Sequence, residues 1–144
     1  MADIVAPDVR SRMMARIRSK NTKPELLLRR ALHAKGVRYR LHKRGIPGRP
    51  DIWFGRYNAA IFVNGCFWHG HDCNRFRLPQ TRRDFWEDKI STNRTRDMKT
   101  RIRLDEAGIR HRTIWECELA GEAGLAFAGI VDECIEWLVS GSGV

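Results

Sequence analysis

The chain has 144 residues and a mass of 16.7 kDa, so it is large enough for one domain with its own core. Hydrophobic residues make up 42% of the sequence, so the chain is not disordered throughout. A net charge of +10, from 27 Lys and Arg against 17 Asp and Glu, favours nucleic acid as partner over the alternatives of simple solubility or an acidic membrane surface. Apolar runs long enough to span a bilayer and the features of a secretory signal are both absent from the sequence, so we expect a protein of the reducing cytosol with no membrane segment.

The first 20 residues form a basic segment in which Met14 and Ile17 stand among arginines. Such a segment is either a short helix or an arm that becomes ordered on its partner. We predict that residues 21–144 form a single domain, because no internal repeat and no low-complexity linker interrupts them.

The first helix of the domain is predicted to begin with a capping box. In it the Thr22 hydroxyl accepts from a backbone amide and Glu25 reaches back to the cap residue. An apolar stripe follows, and Gly36 ends the helix. Apolar and basic residues then alternate over 37–41, which indicates a half-buried strand.

The rest of the chain continues as strands and helices that together predict an α/β sandwich. The strand over 59–63 is apolar throughout, which is typical of a central strand covered on both faces. The other predicted elements are a strand at 51–54, a long helix capped by Thr81 that ends near Gly108, a strand at 109–116, and a final amphipathic helix at 125–139.

Two cysteines and two histidines lie within eight positions of a loop that follows the central strand. The spacing of Cys66, His71 and Cys73 predicts a zinc clamp, and Cys117 is the best candidate for a fourth ligand. Thiolate-rich ligand sets favour zinc over magnesium. The alternative is that these are ordinary core cysteines beside a surface histidine. Cys134 stands on the apolar face of the last helix, so we predict a core thiol there.

An isolated carboxylate, Asp51, is a candidate ligand for a catalytic cation. Hydrolysis of a phosphodiester with a metal needs a carboxylate for Mg²⁺ and a group that activates water. Because Asp51 opens one strand and Val63 closes the next, we expect both at the same end of the hairpin. His69 lies inside the metal loop, which would fix its direction, and is a candidate general base.

Three polar residues spaced by four, Lys89, Asn93 and Asp97, share one face of the long helix. A stripe of this kind is also typical of a solvated surface, and periodicity alone favours that interpretation. Glu25 likewise has a second interpretation beyond catalysis, as the partner of the Thr22 cap.

Four stretches of the chain resemble the very short patch repair endonucleases: Gly48-Arg49-Pro50-Asp51, Ile61-Phe62-Val63-Asn64-Gly65-Cys66-Phe67-Trp68-His69, Phe85-Trp86-Glu87-Asp88-Lys89-Ile90 and Trp115-Glu116-Cys117. The resemblance runs from Arg10 to the last helix. It implies the restriction-endonuclease-like fold and a Mg²⁺-dependent enzyme that nicks DNA on the 5′ side of the thymine in a T:G mismatch. That mismatch is the product of deaminated 5-methylcytosine, so the enzyme would initiate very short patch repair.

The resemblance also implies a role for each candidate residue. It makes Asp51 and the Val63 backbone carbonyl ligands of Mg²⁺, His69 the catalytic histidine, and Glu25 and Asp97 the residues that orient His69 or water on the metal. We group Asn93 with these catalytic residues because it shares the helix face of Asp97. The wider set comprises the zinc ligands Cys66, His71, Cys73 and Cys117, the DNA-intercalating residues Phe67, Trp68, Trp86, Met14 and Ile17, and the phosphate-contacting residues Arg10, Arg12, Arg16 and Lys89.

The chain departs from the related nucleases at one catalytic position. Val63-Asn64-Gly65 replaces the acid-x-Lys tripeptide of the wider superfamily, and Asn64 stands where the very short patch enzymes usually have His or Asp. Because Asn cannot exchange a proton near neutral pH, we expect slower chemistry.

The resemblance further implies where the protein works and with what. We expect a bacterial cytoplasmic enzyme, associated with the nucleoid, that acts as a monomer on double-stranded DNA and hands its product to repair proteins. Two alternatives stay open: an endonuclease of the same fold that cuts intact duplex DNA, and a non-catalytic, zinc-stabilised DNA-binding module. An aromatic wedge favours the mismatch enzyme, because a mismatched base is the easiest to unstack.

Overall fold

The computed structural model describes residues 22–73, 77–119 and 125–140. Its sheet contains four strands in the order β1-β2-β3-β4, in which β3 is antiparallel to β2 and parallel to β4. The strands are β1 (Arg40–Leu41), β2 (Ile52–Phe54), β3 (Ala59–Asn64) and β4 (Arg110–Trp115). The helices are α1 (Lys23–Ala34), α2 (Arg83–Glu106), α3 (Glu116–Leu119) and α4 (Leu125–Ser140), and a 3-10 turn spans Gly55–Tyr57.

The basic segment 1–20 lies outside the described residues, and so do Arg10, Arg12, Met14, Arg16 and Ile17. In the part of the chain that is described, no helix is both long and apolar enough to cross a membrane.

Helix α1 begins with the predicted Thr22 cap. The Thr22 hydroxyl accepts from the Glu25 backbone N–H at 3.4 Å, and Pro24 stands in the first turn, where its missing N–H costs nothing. Leu28 and Leu32 of the helix are fully buried. They belong to the core on one face of the sheet.

Strand β3 is the inner strand that its apolar sequence predicts. Ile61 and Val63 point into a core that also contains residues of α1 and α4. On the opposite face, Phe62 approaches Gly48 and Thr100, the latter on α2. Because side chains alternate along a strand, one face of β3 is covered by α1 and α4 and the other by α2. The molecule is therefore the mixed α/β sandwich that was predicted.

Two glycines let loops approach α2 more closely than any other residue would. Gly48 has a φ of 79°, and a Cβ atom there would lie 2.4 Å from Thr100 Cγ2. Gly70 has a φ of 60°, and its Cβ would lie 2.7 Å from Ile90 Cγ2. Both positions combine a left-handed backbone with a close contact, so both loops are fixed against the helix.

The predicted strand over 37–41 is mostly wrong, since only Arg40 and Leu41 pair with a neighbour. The neighbouring strand β2 is three residues long, which limits how far an edge strand can pair with it. The residues before Arg40 contact the hydrophobic core instead of pairing in the sheet. Val37 packs against it, and the Tyr39 hydroxyl donates to the Arg29 carbonyl at 2.7 Å.

The start of α2 was also predicted wrongly. The residue that caps the helix is Arg82, in a left-handed conformation with a φ of 56°, and not Thr81. The Arg82 guanidinium lies 4.5 Å from the centre of the Phe85 ring, a cation–π contact that stabilises this conformation.

Strand β4 ends one residue earlier than predicted, because Glu116 starts the short helix α3. The Glu118 carboxylate accepts from the Trp115 backbone N–H at 2.8 Å, which satisfies a backbone donor where the strand turns into the helix. This turn carries Cys117 away from the line of the strand.

Candidate active site and metal cluster

A cleft of about 1030 Å³ opens between the N-terminus of α1, the ends of β2 and β3, and the face of α2. It brings together most of the residues that the sequence singled out: Asp51, Val63, Phe67, Trp68, His69, Lys89, Asn93 and Asp97. Its basic lining residues are Lys23, Arg49, Lys89, Arg96 and Arg101. A basic cleft that encloses carboxylates suits a polyanionic ligand together with a cation.

Asp51 and Val63 meet at one end of the hairpin, as predicted. The Val63 backbone N–H donates to Asp51 Oδ2 at 2.7 Å, and the Asp51 side chain is almost completely buried. The N–H and C=O groups of one strand residue point to the same side of the strand. The Val63 carbonyl therefore faces the side on which the Asp51 carboxylate lies.

Burial raises the pKa of Asp51 to about 7. The Val63 N–H opposes this shift because it stabilises the carboxylate, whereas the nearby Glu25 carboxylate reinforces it and Arg29 opposes it. A buried carboxyl group with a raised pKa ionises most readily when a cation is bound beside it.

Glu25 lies deep in the cleft wall with a 1% exposed side chain, which the capping box alone does not explain. Arg29 Nη1 donates to its Oε2 atom at 2.6 Å. On the other side, His42 Nε2 lies 3.0 Å from the same oxygen and 3.9 Å from Asp51 Oδ1. The ligand atoms of Glu25, His42 and Asp51 all lie within 4.8 Å of one another, a spacing that a metal ion can bridge.

Sequence reasoning missed His42, which no metal-binding motif includes. Its backbone N–H donates to the Asp51 carbonyl at 3.2 Å, so it lies opposite Asp51 where β1 and β2 separate. The strand register contains part of this information, because the pairing of Leu41 with Ile52 places His42 next to Asp51.

His69 is held by a carboxylate from the long helix. Its Nδ1 atom lies 2.5 Å from Asp97 Oδ2, which fixes the direction of the imidazole and directs Nε2 away from the helix. Asn93, one turn earlier, donates to the Trp68 carbonyl at 2.8 Å, so its amide holds the backbone of the loop beside His69. Lys89 is exposed at the rim of the cleft.

The three aromatic residues predicted as wedges form a cluster outside the main core. The ring centres of Phe67, Trp68 and Trp86 lie 5.3–5.6 Å apart, and each side chain is half-buried. Phe85 extends the cluster, with its ring centre 5.0 Å from that of Trp86 and a 39% exposed side chain. Large apolar surface that remains accessible beside a basic cleft is suited to stacking against bases.

The four predicted metal ligands converge on one point. The sulfur atoms of Cys66, Cys73 and Cys117 and a ring nitrogen of His71 lie within 4.8 Å of one another. The Cys117 Sγ to His71 Nδ1 distance is 3.6 Å, and tetrahedral bonds of the usual zinc lengths separate two ligands by about 3.6 Å. Cys134 is fully buried in the core, as predicted.

The end of β4 connects the metal cluster to the cleft. The Trp115 ring stacks on the His71 ring, with centres 4.0 Å apart and planes 7° from parallel, and its edge faces His69 at 6.2 Å. Glu116 accepts from the Cys66 backbone N–H at 3.1 Å. The loop that carries the predicted metal ligands Cys66, His71 and Cys73 therefore also carries His69, and the end of β4 contacts both parts of it.

A basic cleft with paired carboxylates and a carboxylate-bound histidine has the groups that hydrolysis of a nucleic-acid phosphodiester requires, which is the chemistry of an endonuclease. The family model of the DNA mismatch endonuclease Vsr matches residues 2–75 of the chain. The chain therefore belongs to the Vsr family and is a DNA endonuclease.

Curated relatives agree with the family assignment over most of the chain. The DNA mismatch endonuclease Vsr of Escherichia coli K12 is 38% identical over 138 residues, which cover 96% of this chain and 88% of the relative. The type II nicking enzyme V.XorIIP of Xanthomonas oryzae pv. oryzae is 45% identical over 83% of this chain and 88% of its own length. The type II nicking enzyme V.NmeAIP of Neisseria meningitidis is 42% identical over 85% and 88%.

Proposed function

We propose that this protein nicks one DNA strand on the 5′ side of the thymine in a T:G mismatch, by Mg²⁺-dependent hydrolysis, and so initiates very short patch repair. The observation that carries the proposal is the cleft in which the Asp51–Val63 pair faces the His69–Asp97 pair. The relatives, a DNA mismatch endonuclease and nicking enzymes, support the same activity. We assign the restriction-endonuclease-like fold on the same grounds.

In this proposal Asp51 and the carbonyl of Val63 hold Mg²⁺. The residues present fit that ion, because a buried carboxyl group with a raised pKa and a backbone carbonyl on the same side supply hard oxygen ligands. When bound, the ion neutralises charge that develops on the phosphate and the leaving oxygen.

The proton-transfer step belongs to His69. With Nδ1 bound to Asp97, the imidazole has its Nε2 atom free to accept a proton from the attacking water. Asp97 then stabilises the imidazolium that results. Glu25 orients the water from the opposite wall, and Asn93 keeps the loop of His69 in place through its bond to Trp68.

Recognition of the mismatch is assigned to the aromatic cluster and the basic N-terminal segment. Phe67, Trp68 and Trp86 enter the base stack, which costs least where a pair is mismatched. Lys89 and the arginines of residues 1–20 contact phosphates, while Met14 and Ile17 approach the bases. One chain binds one duplex. The accessible position of the aromatic cluster supports this activity over the cutting of intact DNA.

The cysteine and histidine cluster is assigned to one structural zinc ion. Three thiolates and one imidazole are the donors of closed structural zinc sites, and their separation matches a tetrahedral ion. The ion would join the loop of His69 to the end of β4.

The test is strand-specific cleavage of labelled duplexes that differ in one pair, T:G, T:A or C:G, with and without Mg²⁺. We expect a nick 5′ to the thymine of T:G only, and only with the cation. Asp51→Ala should abolish nicking and retain DNA binding, whereas Asp132→Ala, an exposed carboxylate on α4, should behave as the parent. Nicking of T:A at the T:G rate, or an active Asp51→Ala variant, would refute the proposal.

A further inference from the structure

The imidazole of His42 lies between two buried carboxylates, and the mechanism above does not use it. Its Nε2 atom is 3.0 Å from Glu25 Oε2 and 3.9 Å from Asp51 Oδ1, and the side chain is 15% exposed. The nitrogen itself is buried, and its close contact with the Glu25 carboxylate is an ion pair that lacks hydrogen-bond geometry. A buried polar atom in this condition is costly, so its position needs a reason.

The spacing of the Glu25, His42 and Asp51 side chains suits a shared cation, which would explain the buried nitrogen. Adjacent ligands of an octahedral cation with bonds of about 2.1 Å lie roughly 3.0 Å apart, and opposite ligands lie farther apart. The atoms of Glu25, His42 and Asp51 fall within 4.8 Å of one another, so they can share one ion. Arg29 holds the Glu25 carboxylate from the side of α1, which fixes its orientation toward the other two.

We propose that His42 is a nitrogen ligand of the cation held by Asp51, and that the site therefore prefers first-row transition-metal dications such as Mn²⁺ over Mg²⁺. This inference rests on the proposed function, which places a divalent cation at Asp51. Mg²⁺ takes oxygen ligands almost exclusively, whereas imidazole binds transition metals, so a nitrogen donor raises the affinity for Mn²⁺ selectively.

The experiment uses Mn²⁺ as the probe and the full-length, zinc-loaded protein. Electron paramagnetic resonance of free Mn²⁺ gives the affinity, Mg²⁺ competition gives the preference, and pulsed measurements detect a nitrogen nucleus bound to the ion. His42→Gln should lose the nitrogen signal and weaken Mn²⁺ binding by about ten-fold or more, since even outer partners of a metal site contribute about 10–100-fold. His111→Gln is the matched control: its imidazole lies 2.7 Å from Asp105, outside the cleft, and this variant should bind as the parent does.

Two further variants keep the result interpretable. His69→Gln should retain the nitrogen signal, which excludes the other imidazole that lines the cleft as its source even if His42→Gln does not fold. An unchanged signal and affinity in His42→Gln, or loss of the signal in His69→Gln alone, would overturn the inference. Asp51→Asn tests the proposed function separately: it should abolish Mn²⁺ binding, and parental binding by this variant would remove the cation site itself.

Discussion

Replacing Asp51 by Asn should make the Mg²⁺-free protein more stable above neutral pH while it abolishes nicking. The folded pKa of Asp51 is about 7, against 3.8 for the free side chain, because the carboxylate is buried. The native state thus binds more protons than the unfolded state between about pH 4 and pH 7, so the free energy of unfolding falls as pH rises through that window. Above it, the buried charge costs up to roughly 4 kcal/mol, from about 1.4 kcal/mol for each unit of pKa shift.

Asparagine removes that charge and keeps an oxygen that can accept from the Val63 N–H. At pH 8 without Mg²⁺, Asp51→Asn should therefore melt roughly 10 °C higher than the parent, since about 1 kcal/mol shifts Tm by a few degrees in a domain of this size. At pH 4 the two proteins should melt together. Added Mg²⁺ should stabilise the parent and leave the variant unchanged, because only the parent binds it.

The assay is thermal unfolding across pH, with zinc retained and Mg²⁺ omitted. Asp132→Asn is the control, because that exposed carboxylate has no buried charge to lose. Taking the difference between parent and variant cancels the titration of groups that do not interact with Asp51. If the difference does not change between pH 4 and pH 8, the buried-charge reasoning about Asp51 is wrong.

The remaining predictions concern catalysis, metal, recognition and binding. His69→Ala should lower the nicking rate by roughly 10²–10⁴, the usual contribution of a positioned acid or base, in single-turnover kinetics with DNA affinity retained. Cys117→Ser should lose the bound zinc and lower the melting temperature, whereas Cys134→Ser should retain the metal by elemental analysis. Trp68→Ala should weaken T:G binding by about ten-fold, since one base–aromatic stack contributes about 1–3 kcal/mol, with little change in T:A binding or melting. Removal of residues 1–20 should reduce the salt dependence of DNA binding, whose log–log slope is about −0.9 per phosphate contact. An unchanged slope would show that this segment does not touch phosphate.

The convergence of the predicted metal ligands could be foreseen because local spacing encodes most of it. Cys66, His71 and Cys73 lie within one tight loop, and only Cys117 had to be brought from elsewhere. The parallel pairing of β3 with β4 brings it, since Asn64 lies opposite Trp115 and the two chain segments leave the sheet together. The local spacing of three residues and the pairing of two strands were therefore sufficient to bring the four side chains together.

His42 shows what the sequence did not reveal. Its role depends on three groups from the start of α1, the end of β1 and the start of β2, and none of their spacings is periodic. Only the register of β1 on β2 sets His42 beside Asp51, and the prediction placed a five-residue strand where two residues pair. An error in the extent of one edge strand thus concealed a residue of the proposed cation site.

The boundary errors have a similar origin in side-chain contacts that local propensity does not include. Thr81 is a better helix cap than Arg82 by residue type, but Arg82 gains a contact with the Phe85 ring. No breaker residue separates Trp115 from Glu116, but the Glu118 carboxylate accepts from the Trp115 backbone N–H where the chain turns into a helix. In each case a contact three residues away decided the outcome.

A zinc ion in the cysteine cluster would also join distant parts of the folded chain. With zinc bound, Cys73 and Cys117 close a loop of about 44 residues that contains the whole of α2, so the ion acts as a cross-link. Because the ligands of a structural zinc ion are assembled only by folding, the ion would stabilise the protein by binding the folded chain in preference to the unfolded one. A break of the backbone inside that loop would therefore leave two fragments joined through the metal, and the protein would tolerate proteolytic nicking between α2 and the zinc loop for as long as it keeps the ion.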